Sequence, residues 1–198
     1  MMRKFLALAA LIVAFGLAFG ARAANAESII IDHVTLIDGT GCAPKRDMSV
    51  VVEDGKFTMV GPSVLAQGLA GRRIDGTGKF LIPGLFDIHI HLDGIARDKK
   101  DAKKWVIDRK AGVQALSSYL YAGVTTVLDV GNLPENILPL RADERAGKIL
   151  SPRIFASGNL ITYPGSHGTD IAVNVRSWPE AESQLQAQLD SQHPDIIK

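Results

Sequence analysis

The stretch Pro83-Gly84-Leu85-Phe86-Asp87-Ile88-His89-Ile90-His91-Leu92-Asp93 decides how the rest of the chain is read. Apolar and polar residues alternate through it, the pattern of a strand with one face toward a core. Residues two apart in a strand project to the same side. His89 and His91 therefore offer both imidazoles to one space, which suits two nitrogens on one metal ion. By the same alternation Asp87 shares their face and can orient the pair or pack beneath it. The competing reading is a strand end whose histidines are only polar groups at a sheet edge.

Downstream, strand and helix patterns alternate. Residues 99–104 read as a charged loop or helix start. Trp105, Val106, Val113, Leu116 and Leu120 then recur near helical spacing as far as Ala122. Residues 124–131 are a β-branched strand with Asp129 near its end, a position better suited to support than to ligation. Residues 134–147 form a second helix that Pro139 is expected to bend or restart. Residues 153–158 are another strand, followed by a Gly/Ser/Thr-rich loop at 160–170 that holds Tyr163 and His167. Residues 179–189 are a third helix with Ser177 as a possible cap. Asp195-Ile196-Ile197-Lys198 begins a fourth strand. This order implies parallel strands covered by helices, joined by right-handed crossovers. Ligand-binding residues then belong at the carboxyl ends of the strands. A doubly wound sheet and a (β/α)8 barrel both satisfy the pattern. A barrel takes roughly 250 residues, and the 116 from Pro83 to Lys198 would be half of one.

Upstream, residues 28–39, 47–62 and 73–82 read as strands and a hairpin. Asp54-Gly55 supplies the tight turn. His33, beside Asp32 near a turn, reads as a surface or packing residue rather than a ligand. Residues 1–26 are a separate object. Arg3-Lys4 precedes an unbroken apolar run of 17 residues, and Ala24-Asn25-Ala26 gives a small-X-small site before Glu27. That is the pattern of a cleaved secretory signal peptide and implies a secreted or periplasmic protein. An uncleaved anchor is the alternative, although the run is near the lower length limit for a span and no basic flank follows it. No stable membrane span is expected once the signal is removed.

The net charge is +1, and residues 27–198 carry 19 bases against 21 acids. Neither balance asks for nucleic acid or an anionic surface. Cys42 is the only cysteine, which excludes an internal disulfide and a cysteine-based zinc cluster.

The motif and its flanks resemble the metal-dependent amidohydrolase superfamily, and within it the imidazolonepropionase-like and Xaa-Pro dipeptidase-like members. Residues 78–91 are similar to that family's first barrel strand, residues 123–131 to its second, and residues 152–158 with Gly165-Ser166-His167-Gly168 to its third and the loop after it. The resemblance implies an α/β chain: an incomplete (β/α)8 TIM barrel, about its first half at residues 83–198 and truncated at strand 4. Part of a small β-sandwich domain, residues 27–82, precedes it. It implies two divalent metal ions, zinc first among them, held by His89, His91 and Lys198. Lys198 corresponds to a lysine that carries a CO2-derived carbamate and bridges both ions. His167 and Tyr163 would contact substrate, a small molecule or a dipeptide.

The implied chemistry is hydrolysis of an amide or cyclic amide C–N bond by a metal-activated hydroxide. The family's remaining histidines and its catalytic aspartate lie on later strands, so the 198 residues are expected to be inactive alone. A homo-oligomer is left open for the full-length protein. The alternative is a non-catalytic remnant or binding module that keeps the half-fold.

Overall fold

The structure is a computed structural model that describes residues 28–166 and 168–198. The expected signal peptide, residues 1–26, and His167 lie outside the described residues. The chain divides into two compact units at the Pro83–Gly84 peptide.

The first unit is a five-stranded sheet. Its strands are β1 (Ile29–Leu36), β2 (Lys45–Glu53), β3 (Lys56–Pro62), β4 (Arg72–Asp75) and β5 (Phe80–Leu81). They are ordered β3-β2-β1-β4, with β5 also pairing β1. β2 is antiparallel to both neighbours, whereas β4 and β5 run parallel to β1. Asp54 and Gly55 both take positive φ, 51° and 71°, as a two-residue turn matched to strand twist requires. Ile30, Val51 and Ala66 form the core, with Met59 against them. Buried Asp32 accepts from the Ser49 hydroxyl and pairs with Arg73, so its charge is not left alone in the interior. His33 Nδ1 bonds the Asp47 carboxylate at 2.7 Å, a surface contact.

The second unit begins with β6 (Leu85–Ile90). It continues through β7 (Ile95–Arg97), β8 (Trp105–Ile107), α1 (Arg109–Tyr121), β9 (Val124–Asp129), α2 (Pro134–Arg145), β10 (Arg153–Ala156), β11 (Ile161–Thr162), β12 (Val173–Asn174) and α3 (Trp178–Gln192). β6, β9 and β10 form a parallel sheet in the order β10-β9-β6, joined through α1 and α2. Spatial order follows sequence order, as in a barrel under construction; the sheet is unclosed, an incomplete (β/α)8 barrel. Ile90, Val127, Ile154 and Ala156 on one face pack against Leu116 of α1 and Ile137 and Leu140 of α2.

Three expectations need correction. Trp105 and Val106 are not helical: they belong to β8, which pairs antiparallel with β7. The helix starts later because the Asp108 side chain accepts from the Ala111 N–H, a cap that fixes the first turn. Pro139 does not restart α2, which runs as one helix from Pro134 to Arg145 with Pro139 inside it. Residues 195–198 are not a regular strand. They are held by one backbone bond to β10, Asp195 N–H to Ala156 C=O at 2.9 Å, and one from β11, Ile161 N–H to Lys198 C=O at 3.0 Å. Ser177 caps α3 as expected, accepting from Glu180 N–H.

Candidate metal centre

β6 delivers the histidine pair, but not by simple alternation. In the ladder with β9, Asp87 lies opposite Val127 and Ile90 opposite Asp129. Three residues on β6 thus span two on β9, so one residue is extra. Val127 and Asp129 are both buried on the helix-covered side. Asp87 and Ile90 therefore share that side although they are three apart, and His89 and His91 flank Ile90 on the other. The expectation that Asp87 shares the histidines' face fails because the bulge reverses parity. Asp87 still touches the motif through its Oδ1, which accepts from His89 N–H at 3.3 Å. Burial raises the Tyr119 hydroxyl on α1, and the charges of Asp87, Asp93 and Asp129 add to the shift.

The structure brings the two imidazoles together. Their centroids are 5.6 Å apart with the rings inclined at 70°, and both residues are exposed. His91 Nδ1 lies 2.7 Å from the Gly131 carbonyl oxygen. A carbonyl only accepts, so the proton sits on Nδ1 and a neutral ring keeps its lone pair on Nε2. That is the tautomer a metal ligand needs, held by a group behind it. The donor set fits a divalent ion that accepts imidazole nitrogen. Among the described residues, no group of three or more His, Cys, Asp and Glu is placed to hold a metal.

Behind the pair lies a network that sequence reading understated. Asp129 is fully buried. Its Oδ2 accepts from Leu92 N–H and from Asn132 Nδ2, both at 2.8 Å, and its Oδ1 accepts from Gly131 N–H at 3.0 Å. Asn132 Nδ2 also donates to Leu92 C=O at 2.9 Å. Burial pushes the Asp129 carboxyl up, against the pull of these donors and of His91. The loops after β6 and β9 are thereby tied to one carboxylate. Asp129 at a strand end was the visible signal; Asn132 carried none.

Lys198 is exposed at its side chain. The chain leading to it is anchored by Asp195, which bonds Arg141 at 2.7 Å, Arg145 at 2.9 Å and Ala156 N–H at 2.9 Å. Tyr163 is exposed in the loop after β11, and its C=O accepts from Ser166 N–H.

A parallel β/α sheet that carries a histidine pair at the end of its first strand defines a protein of the metal-dependent hydrolase barrel class. Residues 80–190 match the profile of the amidohydrolase family, and the chain belongs to that family. The 5'-deoxyadenosine deaminase of Methanothermobacter thermautotrophicus is 38 % identical over 104 residues, 49 % of this chain and 23 % of that protein. The imidazolonepropionase of Stenotrophomonas maltophilia is 39 % identical over 61 residues, 30 % of this chain and 15 % of that protein. A presumptive prolidase from Bifidobacterium longum superposes with a TM-score of 0.69 at 29 % identity, covering 87 % of this chain and 40 % of that one. The chain thus spans less than half the length of each of these relatives. Among the described residues no helix is long and apolar enough to cross a membrane.

Proposed function

We propose that the protein is a metal-dependent hydrolase that cleaves the C–N bond of an amide or cyclic amide. One observation carries this reading: the adjacent rings of His89 and His91, with His91 Nδ1 engaged by Gly131 so that Nε2 is the free donor. Zinc is the first choice for such a pair; manganese, cobalt and iron are the alternatives. A bound divalent ion supplies Lewis acidity toward a carbonyl and toward water.

The chain's own residues do the rest of the work proposed here. His89 and His91 would hold one ion, and Gly131 keeps His91 in the donor tautomer. Lys198, its neutral amine adding CO2 and releasing a proton, would become a carbamate anion with two oxygens to offer divalent ions. The Asp195 anchor supports this role, because it fixes the backbone three residues before Lys198 and limits where the amine reaches. Tyr163 and His167, both between β11 and β12 in the sequence, contact substrate. Likeness to the B. longum prolidase favours dipeptides, and likeness to the imidazolonepropionase favours cyclic amides. Residues 1–26 direct export and are removed, so the mature protein in the periplasm or medium begins at Glu27.

The test is hydrolysis by the full-length protein of Xaa-Pro dipeptides and of cyclic amides, before and after chelation and zinc return. His89→Ala and His91→Ala are each expected to lower kcat/KM by more than about a hundred-fold, since losing a group that merely supports a ligand already costs about 10- to 100-fold. Undiminished turnover in the double variant would sink the assignment. A second reading, a non-catalytic half-fold, is favoured because no group of three or more His, Cys, Asp and Glu among the described residues is placed to hold a metal. Absence of any metal-dependent turnover in the full-length protein selects it.

A further inference from the structure

We infer that Asp129 is a positioning residue for His91: through the Gly131 peptide and Leu92 it sets the aim and the tautomer of that imidazole before any metal arrives. The inference rests on the reading of His91 as a ligand only for its functional meaning.

The geometry is closed on every side. His91 donates from Nδ1 to Gly131 C=O. That carbonyl can point at His91 only if the backbone around Gly131 is fixed. Asp129 Oδ1 fixes the Gly131 N–H, and Oδ2 fixes the N–H of Leu92, the residue after His91. One carboxylate thus grips both the acceptor's peptide and the donor's chain neighbour. Asn132 closes the circuit by bonding Asp129 Oδ2 and Leu92 C=O together. Two ladder bonds hold the base: Val130 N–H to Ile90 C=O at 3.1 Å and Ser157 N–H to Asp129 C=O at 2.9 Å. Gly131 has φ +154°, and a side chain there would run into Leu160, so no other residue keeps this peptide in place. The list of Asp129 partners also explains why a carboxylate is needed. Three donors converge on two oxygens, and an amide side chain would turn a donor of its own toward at least one of them.

Among the described residues His89 has no such device. Its backbone N–H is bonded by Asp87, which leaves the ring itself unaimed. The two histidines are therefore unequal: His91 is preset and His89 is free to adjust.

The experiment uses full-length protein, metal-free, with 15N-labelled histidine. Two-bond 15N–1H correlation spectra read which ring nitrogen of His91 carries the proton, and equilibrium dialysis with zinc reads affinity. Wild type is expected to show His91 protonated on Nδ1. Asp129→Asn, checked for folding by circular dichroism, is expected to give mixed tautomers at His91 with His89 unchanged, and zinc affinity lower by about 10- to 100-fold. Wild-type His91 protonated on Nε2 would overturn the inference without any variant, so a failure of Asp129→Asn to fold leaves it exposed. A folded Asp129→Asn with the wild-type tautomer and zinc affinity would also overturn it. Wild-type protein that has the Nδ1–H tautomer but binds no zinc would instead strike the metal-ligand reading and leave the positioning role standing.

Discussion

A methyl group at position 84 would overlap the side chain of Thr125 on the neighbouring strand. Gly84 takes no unusual φ, so its reason is space rather than backbone freedom. Gly84→Ala should therefore cost about 1–3 kcal/mol through forced repacking, read as a lower urea midpoint with an unchanged slope. A midpoint equal to the parent's would mean that β6 and β9 are not in this register. The case marks what single residues disclose. Pro83-Gly84 opens the histidine stretch in the sequence, but the neighbour that forbids a side chain at Gly84 cannot be read there. That neighbour depends on the register at the start of the ladder, which shifts between the pairs Leu85–Val124 and Phe86–Thr126. The separate bulge between Asp87 and Ile90 explains why period-two reasoning put His89 and His91 side by side yet assigned Asp87 to their face. Alternation holds across Ile90 and breaks before it.

Between elements, the strongest tie in the second unit runs from α2 to the segment after α3. Arg141, buried, donates to Asp195 and to the carbonyls of Gln192 and His193 at the carboxyl end of α3. A cation there also meets the negative end of the helix dipole. Arg141→Ala should cost about 2–3 kcal/mol, less than the about 3–5 kcal/mol of fully orphaning a buried charge, because Arg145 keeps Asp195 paired. Urea denaturation measures it; a change within error would mean that the clamp is water-exposed in solution. The same pair predicts a pH response. Burial alone would push the Asp195 carboxyl up, but the Ala156 N–H and the Arg141 and Arg145 guanidiniums outweigh it and hold the group below the usual carboxylate range. A depressed folded value adds stability that is complete above the unfolded value, about 3.9, and is lost as pH falls through the folded one. Wild type should thus lose more stability than Asp195→Asn on going from about pH 5 to about pH 3. Equal losses would remove Asp195 from the account. These ties were illegible in the sequence because they join residues 39 to 54 positions apart. The helices themselves were legible from spacing and caps, except where Trp105 and Val106 lay just ahead of α1 and mimicked its first turn.

At the scale of the molecule, among the described residues, helices cover one side of the parallel sheet and not the other. Helices bury Ile90, Val127 and Ile154, whereas Phe86 is 69 %, Ile88 71 % and Phe155 39 % exposed on the opposite face. These three line one cleft with Thr126, Leu128 and Ile196, and Asp87 and Asp195 also border it. Parallel sheets are ordinarily buried on both faces, because βαβ strands are apolar on both. Val124, Val127 and Leu128 put apolar side chains on both sides of β9, whereas the alternation of apolar and polar residues in β6 reads as a strand with only one face toward a core. The 198-residue chain on its own should therefore bind a hydrophobic dye and associate with rising concentration, as a contiguous apolar patch and an open strand edge both favour. Ile88→Thr removes apolar surface while keeping a β-branched strand former. Sedimentation velocity should show this variant shifted toward the monomer, with weaker dye fluorescence and an unaltered far-ultraviolet spectrum. A parent chain that stays monomeric and dark at high concentration would mean that the face is covered in solution. The uncovered face would then be no guide to how the sheet is completed.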